Sequence, residues 1–128
     1  NNIIFSHAGV STTWLTKLEY DFKEDLQEFI NDFFKYRPKV FEFAGIDAYG
    51  DSVQSSPIWI RPHSLKKDAV DGYTQVVGHT VQSSIISEKT YKGKGRRNRS
   101  RETLWFVDCL GSEQYLTIED GKFIAKQL

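Results

Sequence analysis

The chain has 128 residues, with 17 Lys+Arg balancing 17 Asp+Glu, and is 39% hydrophobic and 14% aromatic. That length makes one domain or part of one, and the apolar content excludes wholesale disorder. Zero formal net charge argues against a globally basic nucleic-acid binder or an acidic solvating tail.

Apolar runs fall well short of the roughly 20 residues of a membrane helix, and the N-terminus carries no signal-peptide pattern. A single cysteine, Cys109, permits neither an internal disulfide nor a cysteine-cluster metal site. A soluble, intracellular (cytoplasmic) α/β chain is expected, with no membrane partner.

Ile3-Ile4-Phe5 opens the chain as an unbroken apolar run, which predicts a strand covered on both faces before a break at Ser6-His7-Ala8-Gly9. Ser11 caps a short predicted helix through Trp14, Leu15 and Leu18. A second helix is predicted from about Asp21, where Asp21 and Glu24 have capping-box spacing. Phe22, Leu26, Phe29, Ile30 and Phe33 share one helical face, and Arg37-Pro38 ends it. Residues 44–57, rich in Gly, Asp and Ser, read as a loop.

Ile58-Trp59-Ile60-Arg61-Pro62 predicts a short buried strand stopped by the proline. Thr74 to Val77 predicts another, running into Gly78-His79-Thr80, and Ser84 to Ser87 a short edge strand. Between Lys89 and Arg101 lie seven Lys and Arg and no acid, a basic loop on an otherwise acidic body. Leu104 to Asp108 is strand-like. The chain closes on a hairpin, Tyr115–Ile118 and Lys122–Ala125, turned by Asp120-Gly121, the preferred type I′ pair. One unit over residues 1–128 is thus expected, helical over about 11–36 and strand-rich over about 56–128, with the basic loop at 89–101.

His7 and His79 each sit where an apolar strand gives way to a loop. In open α/β sheets that is where ligands bind, and a neutral imidazole there is a good metal ligand. Two hydrogen-bonded structural histidines are the alternative, because a separation of 72 positions has no diagnostic value for a metal site. Arg61, held by Pro62, has the fork to grip a phosphate or to pair with a nearby acid. His63 reads as exposed in a turn. Cys109 ends an apolar strand without a neighbouring base and reads as structural. The basic loop holds one aromatic, Tyr91, and so lacks the stacking platforms of a single-strand binder. A solvated loop, or an electrostatic rim for a phosphorylated substrate, are the two readings of it.

Taken in order, Phe5-Ser6-His7-Ala8-Gly9-Val10-Ser11, Ile58-Trp59-Ile60-Arg61-Pro62 and Gln75-Val76-Val77-Gly78-His79-Thr80 resemble the C-terminal half of calcineurin-like metallophosphoesterases. The bacterial and phage phosphoprotein-phosphatase-type branch is the nearest likeness, with its His-(Ala/Gly)-Gly, Trp-x-Arg and Gly-His-Thr blocks. Leu104 to Gly111 and the hairpin resemble its closing strands, with Cys109-Leu110 a departure from its Ile-Asp-Thr-Gly-like segment.

The resemblance implies a calcineurin-like β-sandwich flanked by helices, ending in antiparallel strands and a hairpin. It implies His7 and His79 as metal ligands and Arg61 as the phosphate-binding residue. Asp-x-His, Gly-Asp-x-x-Asp-Arg-Gly and Gly-Asn-His-(Asp/Glu) blocks, upstream in that family, do not occur here. The expectation is therefore a C-terminal portion with no catalytic residue of its own, inactive in isolation and partnered by a missing N-terminal half. The complete enzyme would be a hydrolase of phosphate esters, serine/threonine protein phosphatase-like, using two divalent metals (manganese, with iron or zinc as alternatives) to activate water. Two rivals remain. One is a catalytically silent interaction module on the same scaffold, the other a small nucleic-acid-binding domain using the basic loop.

Overall fold

The structure is a computed structural model that describes residues 2–90 and 103–128. Its strands are β1 (Ile3–Ser6), β2 (Thr74–Val77), β3 (Ile86–Lys89), β4 (Thr103–Phe106), β5 (Gln114–Glu119) and β6 (Lys122–Gln127). Its α-helices are α1 (Thr12–Lys17), α2 (Leu26–Tyr36) and α3 (Pro62–Asp68), with a 3-10 turn at Pro38–Glu42. The mixture of helices and strands is the expected α/β class. Four strands form one sheet in the order β1-β2-β4-β3, while β5 and β6 pair separately. β1, β2 and β4 are parallel, and β3 runs antiparallel to β4 as the far edge.

Register explains which side is the core. Ile4, Gln75 and Leu104 share one sheet face, followed by Ser6, Val77 and Phe106. Val77, Leu104 and Phe106 pack against Ile60, Leu65 and Ala69, so α3 and the turn before it cover that face. α1 and α2 close a second cluster of Val10, Trp14, Leu15, Tyr20, Leu26, Phe41 and Val70. On the opposite face Phe5, Val76 and Trp105 align, and Trp105 stacks nearly flat on Phe123 of the hairpin, centroids 5.3 Å apart.

Several local expectations hold. Ser11 caps α1 by accepting from the Trp14 amide at 3.1 Å. Asp120 and Gly121 both have positive φ, 49° and 76°, as a type I′ turn demands. Residues 44–57 form no regular element. Buried Ser55 and Ser56 tie this loop down by donating to the carbonyls of Ala44, Gly50 and Phe41.

Other expectations are corrected. α2 begins at Leu26 rather than about Asp21, because Asp25 caps it by accepting from the Glu28 amide at 2.9 Å. Asp21 instead accepts from the Lys23 amide in a preceding turn, leaving Phe22 outside the helix and exposed. Ile58 to Arg61 is not a strand. It is a turn leading into α3, with Arg61 as N-cap and Pro62 in the first turn, where a missing amide hydrogen costs nothing. β1 is not covered on both faces. It is a sheet edge, and Phe5 is 66% exposed. The predicted edge strand lies two residues later than expected, as β3.

Candidate functional site

Parallel pairing of β1 with β2 sets Ser6 opposite Val77, so the chain leaves both strands at the same end of the sheet. His7 and His79 emerge there side by side. His7 Nε2 lies 3.0 Å from His79 Nδ1, with the rings edge to face at 4.8 Å. One nitrogen donates and the other accepts, so a single hydrogen lies between them. The backbone continues the ladder past the strands, Gly78 N donating to the His7 carbonyl at 2.9 Å.

The loop carrying His7 is held from beneath. Fully buried Gln75 accepts from the Val10 amide at 2.8 Å and donates to the Val10 carbonyl at 2.9 Å, acting as a side-chain substitute for a strand partner. The Ala8 amide donates to the Pro57 carbonyl at 2.7 Å. Gly9, at φ +122°, packs so closely on Leu65 that a Cβ there would stand 2.4 Å from a methyl carbon.

His79 is held under strain. Its φ of +67° lies in the left-handed region, which a side chain bearing a Cβ rarely adopts. Its Nε2 is buried and makes no hydrogen bond of good geometry among the described residues, the Trp59 backbone acting on the ring only as a weak partner. Such strain persists only where surrounding structure over-determines it, and it clusters at functional sites.

Burial is the main cause that lowers the His79 pKa below the ordinary histidine value, and the charges of His7 and Arg61 lower it further. The Trp59 backbone and the Asp108 carboxylate, at the end of the third parallel strand, act in the opposite direction. His79 is therefore neutral near pH 7, the form that binds metals. The sign of the pH effect follows. The unfolded chain takes up a proton at His79 near pH 6.5 and the folded protein only at lower pH. The contribution of His79 is complete above about pH 6.5 and is lost as pH falls toward the depressed folded value. Urea midpoints between pH 7.5 and 5 should fall less steeply for His79→Asn than for wild type, and parallel profiles would remove His79 as the sensor.

Arg61 joins the same corner. Its Nε donates to the Tyr49 carbonyl at 2.8 Å and its Nη1 to Thr80 Oγ1 at 3.2 Å, tying it to the residue after His79. Among the described residues no carboxylate pairs with Arg61. Its remaining guanidinium hydrogens are thus not claimed by a charge partner. Trp59 meets the His79 ring edge to face at 6.3 Å.

His63 lies apart. It is exposed on α3, not in a turn, with Nδ1 3.9 Å from Asp51 Oδ2, and Asp51 also accepts from Ser64. Cys109 is buried, with Sγ 3.5 Å from the Val107 carbonyl, the structural role expected of it. The basic loop lies outside the described residues from Tyr91 to Arg101, while Lys89 ends β3 and donates to Thr103 Oγ1 at 2.6 Å. A cavity of about 510 Å³ lies elsewhere, between β1 and α2, lined by residues including Ile4, Phe5, Leu26, Ile30 and Tyr73.

The structure thus brings together His7, His79 and Arg61 and leaves His63 out. Sequence reasoning did not single out Thr80, Tyr49, Gln75 or Asp108 individually. Thr80 and Trp59 were within reach, each lying in a block already quoted for its histidine or arginine.

Two imidazole nitrogens bound to one zinc at about 2.0–2.1 Å in tetrahedral geometry stand roughly 3.3 Å apart. The 3.0 Å spacing of this pair is compatible with a shared metal after a small ring rotation. Among the described residues no third His, Cys, Asp or Glu joins them. Among the described residues, too, no helix is long and apolar enough to cross a membrane. No family model matches the chain, and no curated protein or solved structure matches it.

Proposed function

We propose that this chain contributes part of the centre of a metal-dependent phosphoesterase of the calcineurin-like kind. The observation that carries the reading is the meeting of His7 and His79 at adjacent parallel strand ends, 3.0 Å apart, with Arg61 reaching the next residue, Thr80. His7 Nε2 and His79 Nδ1 would hold one divalent metal, manganese, iron or zinc, since imidazoles do not discriminate sharply among them. Such a metal supplies Lewis acidity toward a phosphoryl oxygen and its attacking water. Two imidazoles cannot fill the coordination of two metals, so the carboxylates, the second metal's ligands and the proton donor would come from polypeptide outside these residues, the missing N-terminal half of the domain. Arg61 would bind non-bridging phosphate oxygens of a phosphorylated substrate and offset charge as it develops. Its backbone is fixed by the cap of α3 and its Nε by Tyr49, so the fork is oriented before a ligand arrives.

A direct test is metal binding by the chain itself. Manganese or zinc should bind weakly at pH 7.5, at least about tenfold more weakly in His7→Ala and in His79→Ala, and unchanged in His63→Ala. Uptake indifferent to both site variants sinks the ligand assignment.

A second reading, a silent interaction module on this scaffold, is favoured by one observation. β1 is an uncharged sheet edge bearing exposed Phe5 beside the β1–α2 cavity, whereas the opposite edge, β3, carries Glu88 and Lys89. Charged edges resist pairing with other chains and apolar ones invite it. Absence of metal binding with a retained fold would favour this module.

A further inference from the structure

Gln75 is a fully buried polar side chain in β2, next to the apolar pair Val76-Val77. Burying an amide is unfavourable unless its polar atoms are matched, so its place inside a strand needs a reason. Both polar atoms are spent on one residue. Oε1 accepts from the Val10 amide at 2.8 Å, and Nε2 donates to the Val10 carbonyl at 2.9 Å. A side-chain amide offers the same donor and acceptor as a peptide group, so β2 grips a second backbone segment besides its strand partners.

That segment is the one that leaves β1 with His7, and it has little slack. The Gly78 amide donates to the His7 carbonyl and the Ala8 amide to the Pro57 carbonyl. Gly9 then turns at φ +122° against Leu65. Of these anchors, Gly78 and Gln75 belong to the stretch of chain that runs into His79. The Val10 carbonyl has another donor, the Val70 amide at 3.1 Å, whereas the Val10 amide is matched by Gln75. Without that side chain a buried N–H is left to find a partner, and the segment carrying His7 must shift to provide one.

Taking His7 and His79 as joint metal ligands, we infer that Gln75 is a positioning residue for the pair. By fastening Val10 to β2 it keeps His7 Nε2 at 3.0 Å from His79 Nδ1. Its own hydrogen bonds go to Val10, so it acts through the backbone and not by touching a ring. Methionine matches its volume but cannot accept and donate as the amide does. Asparagine keeps the amide but is one methylene too short to span both Val10 groups from β2.

The test compares Gln75→Met with Phe123→Ala, by NMR of the imidazole nitrogens without metal and by zinc titration at pH 7.5. Phe123 stacks on Trp105 on the opposite sheet face, so its loss lowers stability away from the histidines. Wild type and Phe123→Ala should show fixed tautomers for His7 and His79, with a hydrogen held between the rings. Gln75→Met should show tautomer-averaged nitrogen shifts. Its zinc affinity should fall about tenfold or more, the usual effect of removing a group that orients a ligand. Phe123→Ala should stay within about twofold of wild type, as a distant site does. If Gln75→Met does not fold, Gln75→Asn is read in its place, with the same losses expected. A folded Gln75 variant with wild-type nitrogen signals overturns the positioning role, and so do equal losses in the Gln75 and Phe123 variants. Absence of zinc binding by wild type overturns the ligand reading alone, and the nitrogen signals then decide the role of Gln75.

Discussion

His79→Gly should yield a more stable protein that binds metal at least about tenfold less well. Histidine at φ +67° occupies a backbone region that disfavours a Cβ by roughly 1–2 kcal/mol. Its buried Nε2, with at most a weak contact to the Trp59 backbone, adds part of the desolvation cost of about 1–3 kcal/mol that a wholly unpartnered group carries. Glycine relieves both, while its greater freedom in the unfolded chain returns about 0.5–1 kcal/mol. Lost packing of the ring against Trp59 and His7 removes more, so the expected net gain is about 1 kcal/mol, or about 3–5 °C in Tm. His79→Ala is the control, since it removes the imidazole and keeps the backbone strain. Calorimetry with metal titration on both variants separates the two causes. A lower Tm in the glycine variant than in the alanine variant defeats the strain reading, and undiminished metal affinity in either defeats the ligand reading.

Gly50→Ala should be far more damaging than Gly72→Ala, although the two glycines have nearly the same backbone angle, φ +81° and +84°. At Gly72 a Cβ meets nothing within 4 Å among the described residues, so the conformational cost of about 1 kcal/mol is the main one. At Gly50 the Cβ would stand 2.1 Å from the Trp59 carbonyl oxygen, a backbone atom that cannot rotate away. Overpacking of that kind costs typically 1–3 kcal/mol, giving a total of about 3 kcal/mol. Relief requires displacing Tyr49-Gly50, and with it the carbonyls that hold the Arg61 Nε and amide. Phosphate affinity at Arg61 should therefore decline in Gly50→Ala under conditions where the protein remains folded. Similar urea midpoints for the two alanine variants would show that the Gly50 turn is not wedged against Trp59.

What could be read from the residues was local. Asp120-Gly121 declares its turn because two adjacent positive φ angles suit few residue pairs, and Ser11 declares its cap by position alone. Ile58 to Pro62 misled because an apolar run before a proline fits a buried strand and a helix entry equally well. Only the packing of Ile60 with Leu65 and Ala69 decides between them. Phe5 misled for a different reason. Whether an apolar strand is central or at an edge depends on neighbours far along the chain, and periodicity carries no information about them. The cap of α2 was missed by four residues because Asp21 and Asp25 are both good caps, each followed three residues later by a glutamate.

The candidate site divides in the same way. His7, His79 and Arg61 stood out by residue type at the ends of apolar runs. Their proximity did not, because it depends on which strands are neighbours and in what register. The partners of Arg61 are a backbone carbonyl and a threonine hydroxyl, groups too common for sequence to mark. The strain at His79 was equally invisible, since a backbone angle imposed by tertiary contacts leaves no trace in composition.

The parallel pairing of β1 with β2 has a kinetic consequence. His7 and His79 are 72 positions apart, and only that pairing brings them together. Closing so long a loop costs chain entropy before any contact compensates it, which makes such pairings slow steps in folding. The terminal hairpin and the short helices depend on near neighbours and can form earlier. A partly folded chain could hold every helix and the hairpin and still have two separate histidines. Bound metal would then report completion of the sheet rather than the presence of secondary structure, and it would favour the finished fold over its precursors by mass action.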